Sequence, residues 1–404
     1  VTVLPLTDTP RRDSYDVVVV GGAVMGSSVA WHLSADPGFD GSVLVVERDA
    51  TYEFASTTHT NSCMRQQYSS EINIRIGQYA ADFVRSFRDR LGGDPEIPEI
   101  AVNHFGYKYL AGDDGFAAAL RRTRELQVSL GAATRILSPE QIAAEYPFYN
   151  VDDIVCGSHN PVDEGWFDSA TMFQWLRQIA RRNGVEYVTS EVVGLDVASD
   201  RVSGVRLADG STVACGHLVN AAGPRAARVA EMAGVELPVE PRKRFTWVFD
   251  AAEPLEQDLP LTIDPSGVHV RSDGPAYMTG CTPDIDPAVD HDDFAMDDDI
   301  FESKVWPVLA HRVPAFERIK VTSRWAGHYA YNTLDHNAVV GPHHRVSNFV
   351  FVNGFSGHGI QQSPAMGRGV SELIVHGGYR TLDLSPLGHD RIVRGEPFVE
   401  DAII

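Results

Sequence analysis

The chain has 404 residues, enough for about two or three domains and a substantial buried core. Its composition, 43% hydrophobic and 22% charged, is that of an ordinary globular protein and excludes a disordered, collagenous or coiled-coil chain. A formal net charge of −21 sets up a field that repels phosphate backbones and anionic lipid surfaces, so neither nucleic acid nor a membrane is an expected partner.

The longest apolar run, Val17 to Met25, contains two glycines and is far shorter than the ~20 residues that cross a bilayer. Residues Val1 to Asp13 lack the continuous hydrophobic stretch of a signal peptide and read as a short tail of a cytoplasmic protein. Cys63, Cys156, Cys215 and Cys281 are scattered without CxxC spacing, which predicts reduced thiols and no metal site.

Tyr15 to Val20 reads YDVVVV, a β-branched run suited to a strand buried on both faces of a parallel sheet. It runs into Gly21, Gly22, Ala23, Val24, Met25 and Gly26, after which Val29, Ala30 and Leu33 recur at helical spacing. A second apolar strand, SVLVVERD, then ends on Glu47 and Arg48, with the acid roughly 20 residues beyond Gly26. Strand, glycine turn, helix, strand and acid in this register form a dinucleotide-binding layout. Gly21 permits the tight turn, Gly26 lets helix and strand approach, and the helix N-terminus offers amides and partial positive charge to a pyrophosphate. Glu47 is placed to accept from a ribose hydroxyl. Ala23 stands where the middle glycine of GxGxxG is usual, so a methyl group is expected to crowd the turn.

Further along, Asp209 to Pro224 reads as a hairpin and a strand ending in Asn220, Ala221, Ala222 and Gly223. Between 284 and 299 eight aspartates crowd together without the alternation and central glycine of a calcium loop, so a solvated acidic loop without chemistry is expected. Near the end, Asn348 to Val352 reads as a strand that opens through Gly354, Phe355, Ser356, Gly357, His358 and Gly359 into a helix from Gln361. Such an entrance offers amides and a positive dipole end to an anionic group.

With GGAVMG, ASTTHTNSCMRQQYS, VDEGWFD, LVNAAGP, YNTLDHNAVVGP and GFSGHG in this order, the sequence from about Tyr15 to Arg391 resembles the FAD-dependent oxidoreductases of the D-amino-acid oxidase, glycine oxidase and sarcosine oxidase family. It is most similar to the branch of FAD-dependent oxidoreductase-domain assembly factors. The resemblance implies an α/β, two-domain α+β architecture: a Rossmann-like FAD-binding domain with an antiparallel-sheet substrate domain. The expected boundaries are 14–100, 155–235 and 322–404 for the first and 101–154 and 236–321 for the second. Runs such as FGYKYLA, FTWVFD and GVHVRSD should build the covering sheet, with Trp166 and Phe167 at the junction.

The resemblance also implies the site. Ser56, Thr57 and Thr58 would serve the phosphates, Val192, Ala221, Ala222 and Gly223 the adenosine side, and Gly354, Gly357, His358, Gly359, Ile360 and Gln361 the pyrimidine edge of the flavin. Arg65 falls where relatives place an arginine beside the flavin. His59, in a Ser-Thr-x-His string like that of dimethylglycine and sarcosine dehydrogenases, would either carry a covalent flavin bond or touch the flavin without one. The cysteine that tethers flavin in monomeric sarcosine oxidase is replaced by Gly327, before Tyr329. Gln361 and Tyr68 stand where the usual carboxylate clamp has a lysine and an arginine, so replacement anchors are sought among Lys108, Arg242, Arg244, Arg271 and Arg324, with Arg271 preferred. His269 aligns with an oxygen-activating lysine, and His358 either polarises substrate or caps its turn.

The activity implied is oxidation of an amine, chiefly a secondary or N-substituted amino acid, by hydride transfer to flavin N5, giving an imine that hydrolyses. Oxygen or another acceptor would take the electrons. Two alternatives remain open at this level: a flavoprotein that binds or assembles a partner complex, and oxidation of a hydroxy acid with His269 or His358 as base.

Overall fold

The structure, a computed structural model, describes residues 6–400; the first five residues of the expected tail and the last four of the final FAD-domain segment lie outside it. Its organising element is the strand Ser14–Val20, parallel to Val43–Glu47 on one side and to Thr212–Asn220 on the other. Glu186–Thr189 extends the sheet in parallel beyond Val43–Glu47. The far edge of Thr212–Asn220 is shared: its first half pairs antiparallel with Arg201–Leu207, its last residues parallel with Phe349–Asn353. Val192–Ala198 and Val339–Pro342 complete eight strands.

The run of valines works as its pattern demands. Val17 and Val19 enter one apolar core with Val29 and Leu33, while Val18 and Val20 enter a second with Leu218 and Ala226, so both faces of the sheet are covered. Helix Val24–Ala35 is buried all round from Val24 to Leu33, packed between helices Gly359–His376 and Ser169–Arg182. Its crossing with Gly359–His376 is close. A β-carbon on Gly367 would lie 2.2 Å from the Ser28 hydroxyl, and that hydroxyl donates to the Ser363 carbonyl at 2.7 Å.

The second large sheet runs in the order Ile319–Asn332, Val239–Ala251, Ala276–Cys281, His269–Asp273, Leu261–Ile263, Tyr107–Ala111, Cys156–Asn160, Arg135–Leu137. It is antiparallel except where Leu261–Ile263 lies parallel to Tyr107–Ala111. Two of its strands, Cys156–Asn160 and Ile319–Asn332, fall at positions the sequence assigned largely to the FAD domain. Each is claimed by a partner strand of the covering sheet, Tyr107–Ala111 and Val239–Ala251 respectively. The outer face packs Trp247, Phe249, Tyr277 and Phe316 into a third core. A small sheet, with Gly165–Phe167 between Cys63–Met64 and Val102–Asn103, joins the two layers through Trp166 and the fully buried Phe167. No helix among the described residues is long and apolar enough to cross a membrane.

Candidate functional site: a cavity between the two sheets

A cavity of about 320 Å³ runs from the glycine turn to the covering sheet. At the turn, Gly21 has φ +96°, and a β-carbon there would lie 2.5 Å from the Ala221 carbonyl oxygen. Gly26 is tighter still, since its β-carbon would sit 1.8 Å from the Gly21 oxygen. Ala23 has φ −66° and ψ −166°, an ordinary conformation for an L-residue, and its methyl group packs against the apolar core. The backbone of the turn therefore needs no glycine at this position.

Gly21, Ala23, Val24 and Met25 line the cavity, whereas Gly22 and Gly26 lie behind it as packing positions. Glu47 lines it too, its two oxygens accepting from the Gly22 and Asp49 amides at 2.8 and 2.9 Å. Burial raises its pKa against the pull of those two donors. Arg48, Val192, Ala221, Ala222 and Gly223 line the same end, joined by Tyr52, Arg225 and Arg228, which the sequence did not single out.

Midway, Ser56, Thr57 and His59 line the wall. Thr57 Oγ1 accepts from the Val24 amide at 3.3 Å, tying this segment to the helix entrance. Thr58 turns away, donating to the carbonyls of Tyr52 and Ala55, so it serves the loop rather than a phosphate. His59 Nδ1 lies 3.1 Å from the Ala55 carbonyl and must carry the proton, which leaves Nε2 as the lone-pair nitrogen; burial depresses its pKa. Gly327 lies against it, and a β-carbon there would come within 2.5 Å of His59 Cβ. The space that a tethering cysteine would need is therefore taken by His59.

The far end holds the GFSGHG loop. Gly357, with φ +97°, sits so close to Tyr329 that a β-carbon would meet the ring at 2.5 Å. Gly357, His358, Gly359 and Ile360 line the cavity at the entrance to helix Gly359–His376. His358 makes no side-chain cap. Its Nε2 lies 2.8 Å from Arg65 Nη2, and since a guanidinium only donates, the imidazole must accept and be neutral. Burial, reinforced by the Arg65 charge, pushes its pKa down to about 3. Arg65 also donates to the Gln67 carbonyl at 2.8 Å and to the Tyr109 hydroxyl, and stacks 4.1 Å from the centre of Tyr68.

Opposite this loop, the covering sheet contributes Tyr107, Arg244, Thr246, Leu261 and His269. Strand alternation explains the selection. Tyr107 faces the cavity, whereas Lys108 points to the outer face, fully buried, with Nζ 3.2 Å from the centre of the Tyr146 ring. His269 Nε2 lies 3.0 Å from Asn61 Nδ2, and burial, with Arg271 and Arg244 nearby, lowers its pKa to about 4. Of the five candidate anchors only Arg244 lines the cavity, held by Asp286 through two bonds of 2.7 and 2.9 Å. Arg271, the preferred one, is turned to Asp273 and the Ser272 carbonyl, both at 2.8 Å. Arg242 bonds Glu240 and Arg324 bonds Asp298. Gln361 is likewise spent on structure, accepting from the Arg65 amide at 2.7 Å and donating to the Tyr68 hydroxyl, and Gly354 supports the turn outside the wall.

A doubly wound nucleotide sheet, a covering sheet and a glycine-entered helix at each end of the cavity between them define a two-domain flavoprotein oxidoreductase. Residues 16–373 match the family model described as FAD dependent oxidoreductase, and the chain belongs to that family. It is 38% identical to FAD-dependent oxidoreductase domain-containing protein 1 of Bos taurus, across 99% of this chain and 90% of that protein. It is 26% identical to the mitochondrial sarcosine dehydrogenase of Mus musculus, across 91% of this chain and 40% of that protein. L-proline dehydrogenase from P. horikoshii shares the fold with a TM-score of 0.83 at 24% identity, covering 95% of this chain and 99% of that one. The residues present suit FAD: a turn so tight that two of its glycines admit no β-carbon, an acid at the end of the second strand, and a second amide-rich entrance at the opposite end.

Proposed function

We propose that the chain oxidises the amine of a secondary or N-substituted amino acid, with FAD held without a covalent link. The carrying observation is electrostatic. Away from the nucleotide end the cavity is lined by Arg65 and by Arg244, the latter paired with Asp286 behind it, and by no acidic residue among the described residues, whereas its acids, Glu47, Asp49, Glu191 and Asp292, belong to the nucleotide end. Such a wall favours an anionic substrate group and disfavours an ammonium, so the amine enters neutral, as donation of hydride requires. FAD, when bound, supplies the two-electron acceptor.

The chain's own residues orient and desolvate. Helix Val24–Ala35 would hold the diphosphate, Glu47 the ribose, and the amides entering helix Gly359–His376 the pyrimidine edge. Tyr107, Tyr329 and Leu261 provide the apolar surface that excludes water. A hydroxy acid would instead need a base, and neither histidine offers one: Nε2 of His358 is engaged by Arg65 and Nε2 of His269 by Asn61.

The test is anaerobic mixing of the flavin-loaded protein with N-alkyl amino acids, D-amino acids and hydroxy acids, following flavin absorbance. N-substituted amino acids should bleach the flavin faster as pH rises toward the substrate's amine pKa. Bleaching by hydroxy acids alone, or by none of the panel, overturns the reading. Acid precipitation should leave all flavin in the supernatant; flavin retained on the pellet refutes the non-covalent hold.

A further inference from the structure

The acidic run 284–299 is a largely exposed loop, as its composition suggests, yet it also carries ion pairs. It borders the cavity through His291 and Asp292 and bonds to both layers. On the covering sheet, Asp286 holds Arg244 with two bonds, Asp293 bonds Lys243 at 2.9 Å and Asp298 bonds Arg324 at 2.5 Å. On the nucleotide side, Asp292 bonds Arg225 at 2.5 Å and lies 3.5 Å from Arg48, and all three residues line the cavity.

Between these attachments Phe294 is inserted like a bolt. Its ring stacks on His328 at 4.2 Å and 15°, meets Phe54 at 4.8 Å, and lies near-parallel to His59 at 6.0 Å and 26°. His328, Phe54 and His59 all line the cavity, and the Asp293 carbonyl accepts from His328 Nε2 at 2.8 Å. The segment therefore grips side chains from the nucleotide end to the midpoint of the site. Its contacts are of a kind that can open. Asp292 is 68% exposed, so its pair is individually weak, and the stretch from Asp284 to Asp298 belongs to no helix or strand.

From this arrangement we propose that Asp286 to Phe294 form a clasp over the dinucleotide, part of the cofactor site itself, with Asp292 and Phe294 setting how slowly FAD leaves. The inference rests on FAD occupying the cavity. It assigns retention of the dinucleotide to a segment outside both glycine-rich entrances.

The experiment follows FAD release from the loaded protein by the rise in flavin fluorescence, with thermal melting as a check on folding. Phe294→Ala should release FAD about 2- to 10-fold faster, as the loss of an aromatic stack predicts, and Phe294→Trp should restore slow release. Asp292→Asn should accelerate release about 2- to 5-fold. Asp297→Asn, on the same segment but outside these contacts, should leave it unchanged. Amide hydrogen exchange across 284–299 should slow on FAD loading. Folded variants at positions 292 and 294 that release FAD at the parental rate, or exchange indifferent to loading, overturn the clasp alone. A chain that takes up no flavin overturns the functional reading and the clasp with it.

Discussion

Gly26→Ala is the sharpest perturbation of the nucleotide end, because a single added carbon meets backbone rather than a movable side chain. The new Cβ would stand 1.8 Å from the Gly21 oxygen, and a carbon–oxygen contact below about 3 Å is not tolerated, so that carbonyl must retreat by more than about 1 Å. It has little room. The Gly21 amide is bound to the Val46 carbonyl at 2.9 Å, and a β-carbon on Gly21 would stand 2.5 Å from the Ala221 oxygen. Overpacking of this kind costs about 1–3 kcal/mol of stability, and about 2–4 °C of melting temperature accompanies each kcal/mol in a large domain. The effect on FAD should be larger. A hydrogen bond to a charged group is worth about 1.5–3 kcal/mol, so displacing two turn amides weakens binding by about two to four orders of magnitude. Ala23→Gly is the matched control. Position 23 already has a conformation open to any residue, so the loss should be about 0.4–1 kcal/mol of stability, through the unfolded chain, with affinity retained. Titration of apoprotein with FAD by flavin fluorescence, beside thermal melts, measures both variants. If Gly26→Ala bound FAD as the parent does, or if Ala23→Gly were the more damaging, the account of this turn would be wrong.

Two further outcomes follow from buried titratable groups. Burial depresses His32 to about 3 and His159 to about 4, so between pH ~6.5 and these values the unfolded chain takes up protons that the folded chain refuses. The stability they confer is complete above pH ~6.5 and declines as pH falls, by about 1.4 kcal/mol per histidine per pH unit; a urea midpoint constant from pH 7 to 5 would refute this. Lys108, lowered to about 7 by burial and the Arg135 charge against the pull of Glu145, behaves in the complementary window. Between pH 7 and 10.5 only its unfolded form binds the proton, so stability rises with pH. Lys108→Met should remove that rise, about 1.4 kcal/mol per pH unit at most, and parallel urea profiles for the two proteins would contradict it.

How much of this molecule is legible in its sequence depends on how local each signal is. The valines of Ser14–Val20 could be read because a parallel strand buried on both faces has no other economical use for four β-branched residues in a row. The glycine turn, Glu47 and the GFSGHG entrance are local in the same sense, for each works through backbone a few residues away. Parity in the covering sheet was only half legible. Alternation in YKYLA says that Lys108 and Tyr107 face opposite ways, but which of them sees the cavity depends on the layer the sheet packs against. Asn61 and Tyr329, in segments whose motifs were recognised, could have been drawn out by the same reasoning.

The misplacements share one cause. Arg271 and Gln361 carry the right chemistry for a substrate anchor and a flavin contact, and each is withdrawn by a partner, Asp273 two residues on for the first and Tyr68, far back in the chain, for the second. A motif shows what a side chain can do and not what already holds it. The acidic run is the extreme case. Its aspartates have no period, glycine or motif to mark them, and the cations they meet, from Arg48 to Arg324, are strewn across the chain. Only the folded arrangement turns such an excess of negative charge into attachments, which is why a segment that composition consigns to solvent can bear on how tightly the cofactor is kept.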